Sequence, residues 1–135
     1  MRRVSAILFL LAGLAGALRA AEPEVRVFYG LATNTTAEAS ANVLLVLAID
    51  GEKVVGQMQT EAPLAGSGRL EGRLIGGWCE LKGQLEEGFT IEFRGACNAR
   101  DFRGTYTAAV PGELLQYGKF QLSLQSPAKV MPPEK

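Results

Sequence analysis

The chain has 135 residues, 47% of them hydrophobic and 21% charged, with 14 basic and 14 acidic side chains and no histidine. That length holds one small domain, and its interspersed charges form no basic stripe of the kind that nucleic-acid binding needs. Without histidine, Ser-His-Asp and Cys-His catalytic arrangements cannot be built, and a zinc site would have to rely on carboxylates.

Arg2 and Arg3 form a short basic region, and Val4 to Leu18 follow as an almost uncharged apolar run. Ala20 and Ala21 then precede the acidic Glu22-Pro23-Glu24. This is the layout of a secretory signal peptide cut after Ala20 or Ala21. The run of about 15 residues is shorter than the roughly 20 of a membrane-spanning helix, so no membrane span is expected after cleavage. The reading is residues 1–21 as signal peptide, 22–125 as a single β domain and 126–135, which holds Pro127, Pro132 and Pro133, as a disordered tail. Loss of Arg2, Arg3 and Arg19 with the leader leaves 11 basic against 14 acidic residues, a net charge of −3. The expected location is periplasmic or secreted.

From Val25 onward the pattern is short extended segments punctuated by turn residues. Val25 to Leu31 alternates, with Val25, Val27, Tyr29 and Leu31 on one face and Arg26 and Phe28 on the other. Ala32 to Ala41 is rich in Thr, Asn and Ala and reads as a loop. Asn42 to Ile49 is nearly continuous apolar sequence, the pattern of a strand buried on both faces. Asp50-Gly51 marks a hairpin of type I′, which requires positive φ at both central residues, and Lys53 to Gln59 returns as its partner strand. Leu70, Gly72 and Leu74 then alternate with Arg69, Glu71 and Arg73, and Gly76-Gly77 turns the chain. Cys79, Leu81, Gly83 and Leu85 share one face, as do Phe89, Ile91, Phe93, Gly95 and Cys97 after Glu86-Glu87-Gly88. Phe102, Gly104, Tyr106 and Ala108 continue, and Tyr117 to Gln125 closes the series with Phe120, Leu122 and Leu124 inward. The fold class is all-β: an antiparallel meander of about eight strands, expected as a closed barrel, with a β-sandwich as the alternative. Glycines inside strands at positions 72, 83, 95 and 104 favour the barrel, because sharp strand bends need them.

Cys79 and Cys97 share the inward parity, and in an oxidising compartment they are expected to pair as a disulfide. Two registers compete for their hairpin. Setting Cys79 directly opposite Cys97 also sets Lys82 opposite Arg94, a like-charge pair. The alternative sets Lys82 opposite Glu92 and Glu80 opposite Arg94, puts Gly88 in a left-handed turn, and leaves the cysteines diagonal. Charge pairs contribute about 0.2–1 kcal/mol each and a disulfide roughly 2–4 kcal/mol, so the directly opposed register is favoured.

No catalytic constellation is present in the sequence. Glu71, Glu80 and Glu92 fall on outward positions rather than converging in a cleft, so the protein is read as a non-enzyme with neither cofactor nor metal. Trp78 is outward beside Gly76-Gly77, and Phe93-Arg94-Gly95 and Phe102-Arg103-Gly104 repeat one plan. Trp78, Arg94 and Arg103 are thus candidates for contact with a partner protein, or simply solvated surface around an aromatic that covers the barrel end. Asn34-Thr35-Thr36 is a glycosylation sequon, which matters only in a eukaryotic secretory pathway, whereas the short Ala/Leu-rich leader has a bacterial look.

The succession Asp50-Gly51, Val54-Val55-Gly56, Gly68-x-Leu70-x-Gly72, Phe93-x-Gly95 and Phe102-x-Gly104-x-Tyr106 resembles small lipocalin- or avidin-like meander barrels and other exported proteins patterned this way. The resemblance runs from about Val25 to Gln125 and implies architecture alone. The ligand-binding aromatics of avidins have no counterparts here, and the Gly-x-Trp opening strand of lipocalins is missing. The functional expectation is a binding protein for a small apolar ligand, with Tyr29, Phe93, Phe102, Tyr106 and Phe120 lining the site. The alternative is an envelope protein with a solid interior that binds another protein through its surface.

Overall fold

Alternation along the chain becomes inside and outside of a closed wall. The computed structural model describes residues 23–125, so the signal-peptide and tail assignments lie outside the described residues. The strands are β1 (Glu24–Asn34), β2 (Ala39–Asp50), β3 (Lys53–Thr60), β4 (Ser67–Ile75), β5 (Trp78–Leu85), β6 (Thr90–Cys97), β7 (Asp101–Ala109) and β8 (Gln116–Leu124). Each pairs antiparallel with the next and β8 closes on β1, giving an eight-stranded meander barrel and not a sandwich. Closure removes every unpaired sheet edge.

The connections divide the barrel into two ends. One end carries the tight turns after Asp50, Ile75 and Cys97, together with the start of β1 and the finish of β8. The other carries the longer connections at residues 35–38, 61–66, 86–89 and 110–115. Gly76 and Gly77 both have positive φ, 60° and 78°, as a type I′ turn demands. At the β2–β3 hairpin Asp50 pairs with Lys53, so the central residues are Gly51 and Glu52. Positive φ there is confined to Gly51, at 65°, which fits the II′ pattern with glycine first and corrects the I′ expectation.

The predicted loop at Ala32–Ala41 is mostly strand. Asn34 pairs with Ala39, and a four-residue turn between them holds Glu38 at φ 57°. Polar composition concealed it because Thr33, Ser40 and Asn42 sit on the outward face. The apolar run of β2 is buried on one face only. Val43, Leu45, Leu47 and Ile49 enter the core, whereas Leu44, Val46 and Ala48 stay half-exposed, since a single-walled barrel has no second layer to cover them.

The β5–β6 register is also corrected. Cys79 pairs with Gly95, Lys82 with Glu92 and Glu80 with Arg94, so the cysteines are diagonal. Leu85 N–H donates to Phe89 C=O at 2.7 Å across the Glu86–Gly88 3₁₀ turn, where Gly88 has φ 83°. The directly opposed register does not form; in the observed one the two cysteines come within 4.4 Å and are not bonded. Strand twist shortens one diagonal of an antiparallel pair, so turn chemistry, charge pairing and cysteine proximity are met together. Glu71–Lys82–Glu92 and Arg73–Glu80–Arg94 thus form two rows of alternating charge across β4, β5 and β6.

Phe28, Leu45, Leu47, Leu70, Leu81, Phe102 and Leu122 are fully buried, each stabilising the fold by roughly 1.5–3 kcal/mol. The wall can be this narrow because Gly95 and Gly104 face each other on β6 and β7. A Cβ on Gly104 would collide with the Arg94 carbonyl oxygen, and one on Gly95 with that of Arg103.

Candidate functional site

The two ends of the lumen are filled differently. Toward the tight-turn end, Phe28 meets Phe102 at 6.0 Å between ring centroids, Phe102 meets Phe120 edge-on at 4.7 Å, and Phe93 meets Phe120 edge-on at 5.1 Å. These rings form a solid plug in favourable aromatic geometry. Cys79 and Cys97, 0% and 2% exposed, lie beside it as free thiols. Arg26 enters from β1: its Nε donates to Glu24 Oε2 at 2.8 Å, and its Nη1 reaches the Asn98 carbonyl at 3.3 Å and Cys97 Sγ at 3.8 Å. The hydrogen bond from Cys79, with help from the Arg26 guanidinium, pulls the Cys97 thiol below the ordinary range. The same hydrogen bond and burial push Cys79 far above it. Among the described residues no group of three or more His, Cys, Asp or Glu side chains could hold a metal ion.

Toward the long-loop end the plug stops and a cavity of about 160 Å³ opens. Its apolar side is Val43 of β2, Met58 of β3, Leu85 of β5 and Ile91 of β6, with Phe93 as floor and Pro63, Leu64 and Val110 at the mouth. The other side, on adjacent β7, β8 and β1, bears Tyr106, Gln116 and Asn34. The Tyr106 ring lies against Gly118, where any Cβ would collide with it, and stacks tilted on Phe93 at 5.7 Å. Burial raises the Tyr106 pKa. Asn34, 6% exposed, donates through Nδ2 to Gln116 Oε1 at 2.7 Å and accepts from Ala37 N–H at 2.8 Å. The sequon asparagine is therefore a buried wall residue, not an open acceptor.

Of the residues expected to line a ligand site, Phe93 and Tyr106 border this cavity. Phe102 and Phe120 belong to the plug beneath. Tyr29 is corrected: it points out of the barrel and donates to Glu61 Oε2 at 2.9 Å, which raises its pKa. Trp78, Arg94 and Arg103 are all on the outer surface. Trp78 is 49% exposed beside the 50% exposed Ile75, and its Nε1 donates to Glu80 Oε2 at 3.2 Å. Ala96 separates it from Arg103, while Arg94 lies 3.7 Å from Glu92. Sequence reasoning missed Asn34, Gln116, Met58 and Ile91 as cavity residues. Inward parity was available for the last two, whereas Asn34 was hidden by reading its segment as loop. A larger groove of about 980 Å³ crosses the outside of β3, β4 and β5, but it is an open furrow bordered by Lys53, Arg69, Glu71, Arg73 and Lys82.

The chain matches no protein-family model, no curated protein and no solved structure. What stands is the eight-stranded closed antiparallel meander, with no family identified.

Proposed function

We propose that the protein is an exported, non-enzymatic binder of a small apolar ligand, which it holds in the cavity at the long-loop end. The supporting observation is the cavity itself, about 160 Å³ with a mainly apolar lining, above a lumen that is otherwise filled. A cavity of about 150 Å³ with apolar walls accepts a benzene-sized guest. Each Å² of apolar surface that such a guest removes from water contributes roughly 25 cal/mol.

The signal-peptide reading of residues 1–21 puts the mature protein in the periplasm or outside the cell, where Cys79 and Cys97 close into a disulfide. Modest side-chain rotation brings sulfurs from neighbouring strands to the bonding distance of about 2.05 Å. The bond ties β5 to β6 at the tight-turn end and leaves the ligand end free to open.

Native mass spectrometry of mature protein tests this directly. Wild type is expected to carry or take up a toluene-sized molecule and to lack its two thiol hydrogens, and Ala108→Phe, which fills the cavity, is expected to stay empty. Wild type that keeps its bare mass in saturating toluene, with an unchanged melting temperature, overturns the reading. One observation favours a second role, protein binding through the outer surface: Ile75 and Trp78 stand directly opposite, each half-exposed.

A further inference from the structure

The cavity wall has a polarity that can be worked out from fixed donors. Backbone N–H groups only donate, so the Ala37 amide fixes Asn34 Oδ1 as an acceptor and turns Asn34 Nδ2 the other way. Nδ2 donates in its turn to Gln116, which fixes Gln116 Oε1 as an acceptor and leaves its Nε2 hydrogens to point elsewhere. Among the described residues neither Gln116 Nε2 nor the Tyr106 hydroxyl has a hydrogen-bond partner, although Tyr106 is only 6% exposed. Both residues line the same side of a mainly apolar chamber, and each carries an N–H or O–H that is free to donate. Gln116 is half-buried, whereas leaving the Tyr106 hydroxyl buried and unpaired costs about 1–3 kcal/mol. Among the described residues no Asp, Glu, Lys or Arg lines the cavity. A charged guest would have to give up its hydration with nothing to replace it.

We infer that the ligand is a neutral, benzene-sized molecule carrying one acceptor oxygen, a carbonyl, which Tyr106 and Gln116 hold by hydrogen bonds while Val43, Met58 and Ile91 enclose its apolar body. This rests on the ligand-binding reading above and sharpens it from apolar to apolar with one carbonyl. Asn34 is a positioning residue, since it acts through the orientation it imposes on Gln116.

The test uses the mature protein and two probes of the same shape, acetophenone and α-methylstyrene, in which a carbonyl is replaced by a methylidene group. Benzoate is the charged control. Acetophenone is expected to bind, with its infrared carbonyl stretch shifted down relative to an apolar solvent. Tyr106→Phe, which keeps the ring over Gly118, is expected to weaken acetophenone about tenfold, the equivalent of one ordinary hydrogen bond. It should leave α-methylstyrene unchanged and undo part of the infrared shift. Benzoate is expected to bind at least tenfold more weakly than acetophenone. If both neutral probes bind, with no carbonyl shift and no differential effect of Tyr106→Phe, the carbonyl inference is wrong and the apolar-binder reading stands. If neither binds, both are wrong. The infrared band reads the contact in wild type, so the result does not depend on how well the variant folds.

Discussion

The two ends of this barrel are built from the same alternating strands yet behave as different materials. At the tight-turn end, Phe28, Phe102, Phe120 and the cysteine pair interlock, and Arg26 with Glu24 closes over them. At the long-loop end, Ile91 and Phe89 are only partly buried around a cavity, and the wall switches to Tyr106, Gln116 and Asn34. The lesson is that in a small barrel, space is controlled by connections as much as by strands. Connections of two or three residues draw the strand ends together, whereas those of four to six hold them apart.

If that contrast is real, equivalent damage should cost more at the filled end. The largest effect is expected from Gly104→Val, because its Cβ would meet the backbone of Arg94 and Gly95 and not a yielding side chain. A loss of several kcal/mol, about 3 or more, should appear as a lower urea midpoint or failure to fold. Phe102→Ala should cost about 3–5 kcal/mol as the plug loses its central ring. Ile91→Ala at the open end should cost about 1–2 kcal/mol, since the side chain is already only partly buried and borders a void. Equal losses for these two in urea denaturation would erase the distinction between the ends.

Reduction probes the filled end from another direction. A closed Cys79–Cys97 bond predicts that dithiothreitol lowers stability by roughly 2–4 kcal/mol, and that Cys97→Ser removes this sensitivity. If wild type is indifferent to reductant, the pair is a packed dithiol. Alkaline pH probes the open end. Burial raises the Tyr106 pKa, so above the ordinary tyrosine value of about 10 the folded protein holds a proton that the unfolded chain releases. Stability must therefore fall as pH climbs through that value, and Tyr106→Phe should flatten the decline in a thermal-melt series. The smallest effect belongs to the outer wall. Lys82→Glu sets like charges against both Glu71 and Glu92 and should cost roughly 1 kcal/mol, fading with added salt. A cost unaffected by salt would mean that the charge rows do not act electrostatically.

The amino-acid order by itself determined the meander. Period-two alternation, Gly76-Gly77 and the spacing of strands are local properties, each decided within a few residues by sterics and by the gain from burying one face. That is why β4 to β8 were legible nearly to the residue, and why Phe93 and Tyr106 could be placed in the interior. Tertiary structure alone decided which face of β1 turns inward. Both of its faces carry an aromatic, and the matter is settled by neighbours: β8 presses so close at Gly30 that a Cβ there would strike Gln121, leaving Phe28 and Ala32 inside and Tyr29 out. It also decided the position of the cavity, which depends on the twist and closure of all eight strands at once, and no stretch of the chain contains that information. At β5–β6 the charge pairs and the Gly88 turn marked the observed register, and only the tertiary structure shows how near the diagonal cysteines come in it.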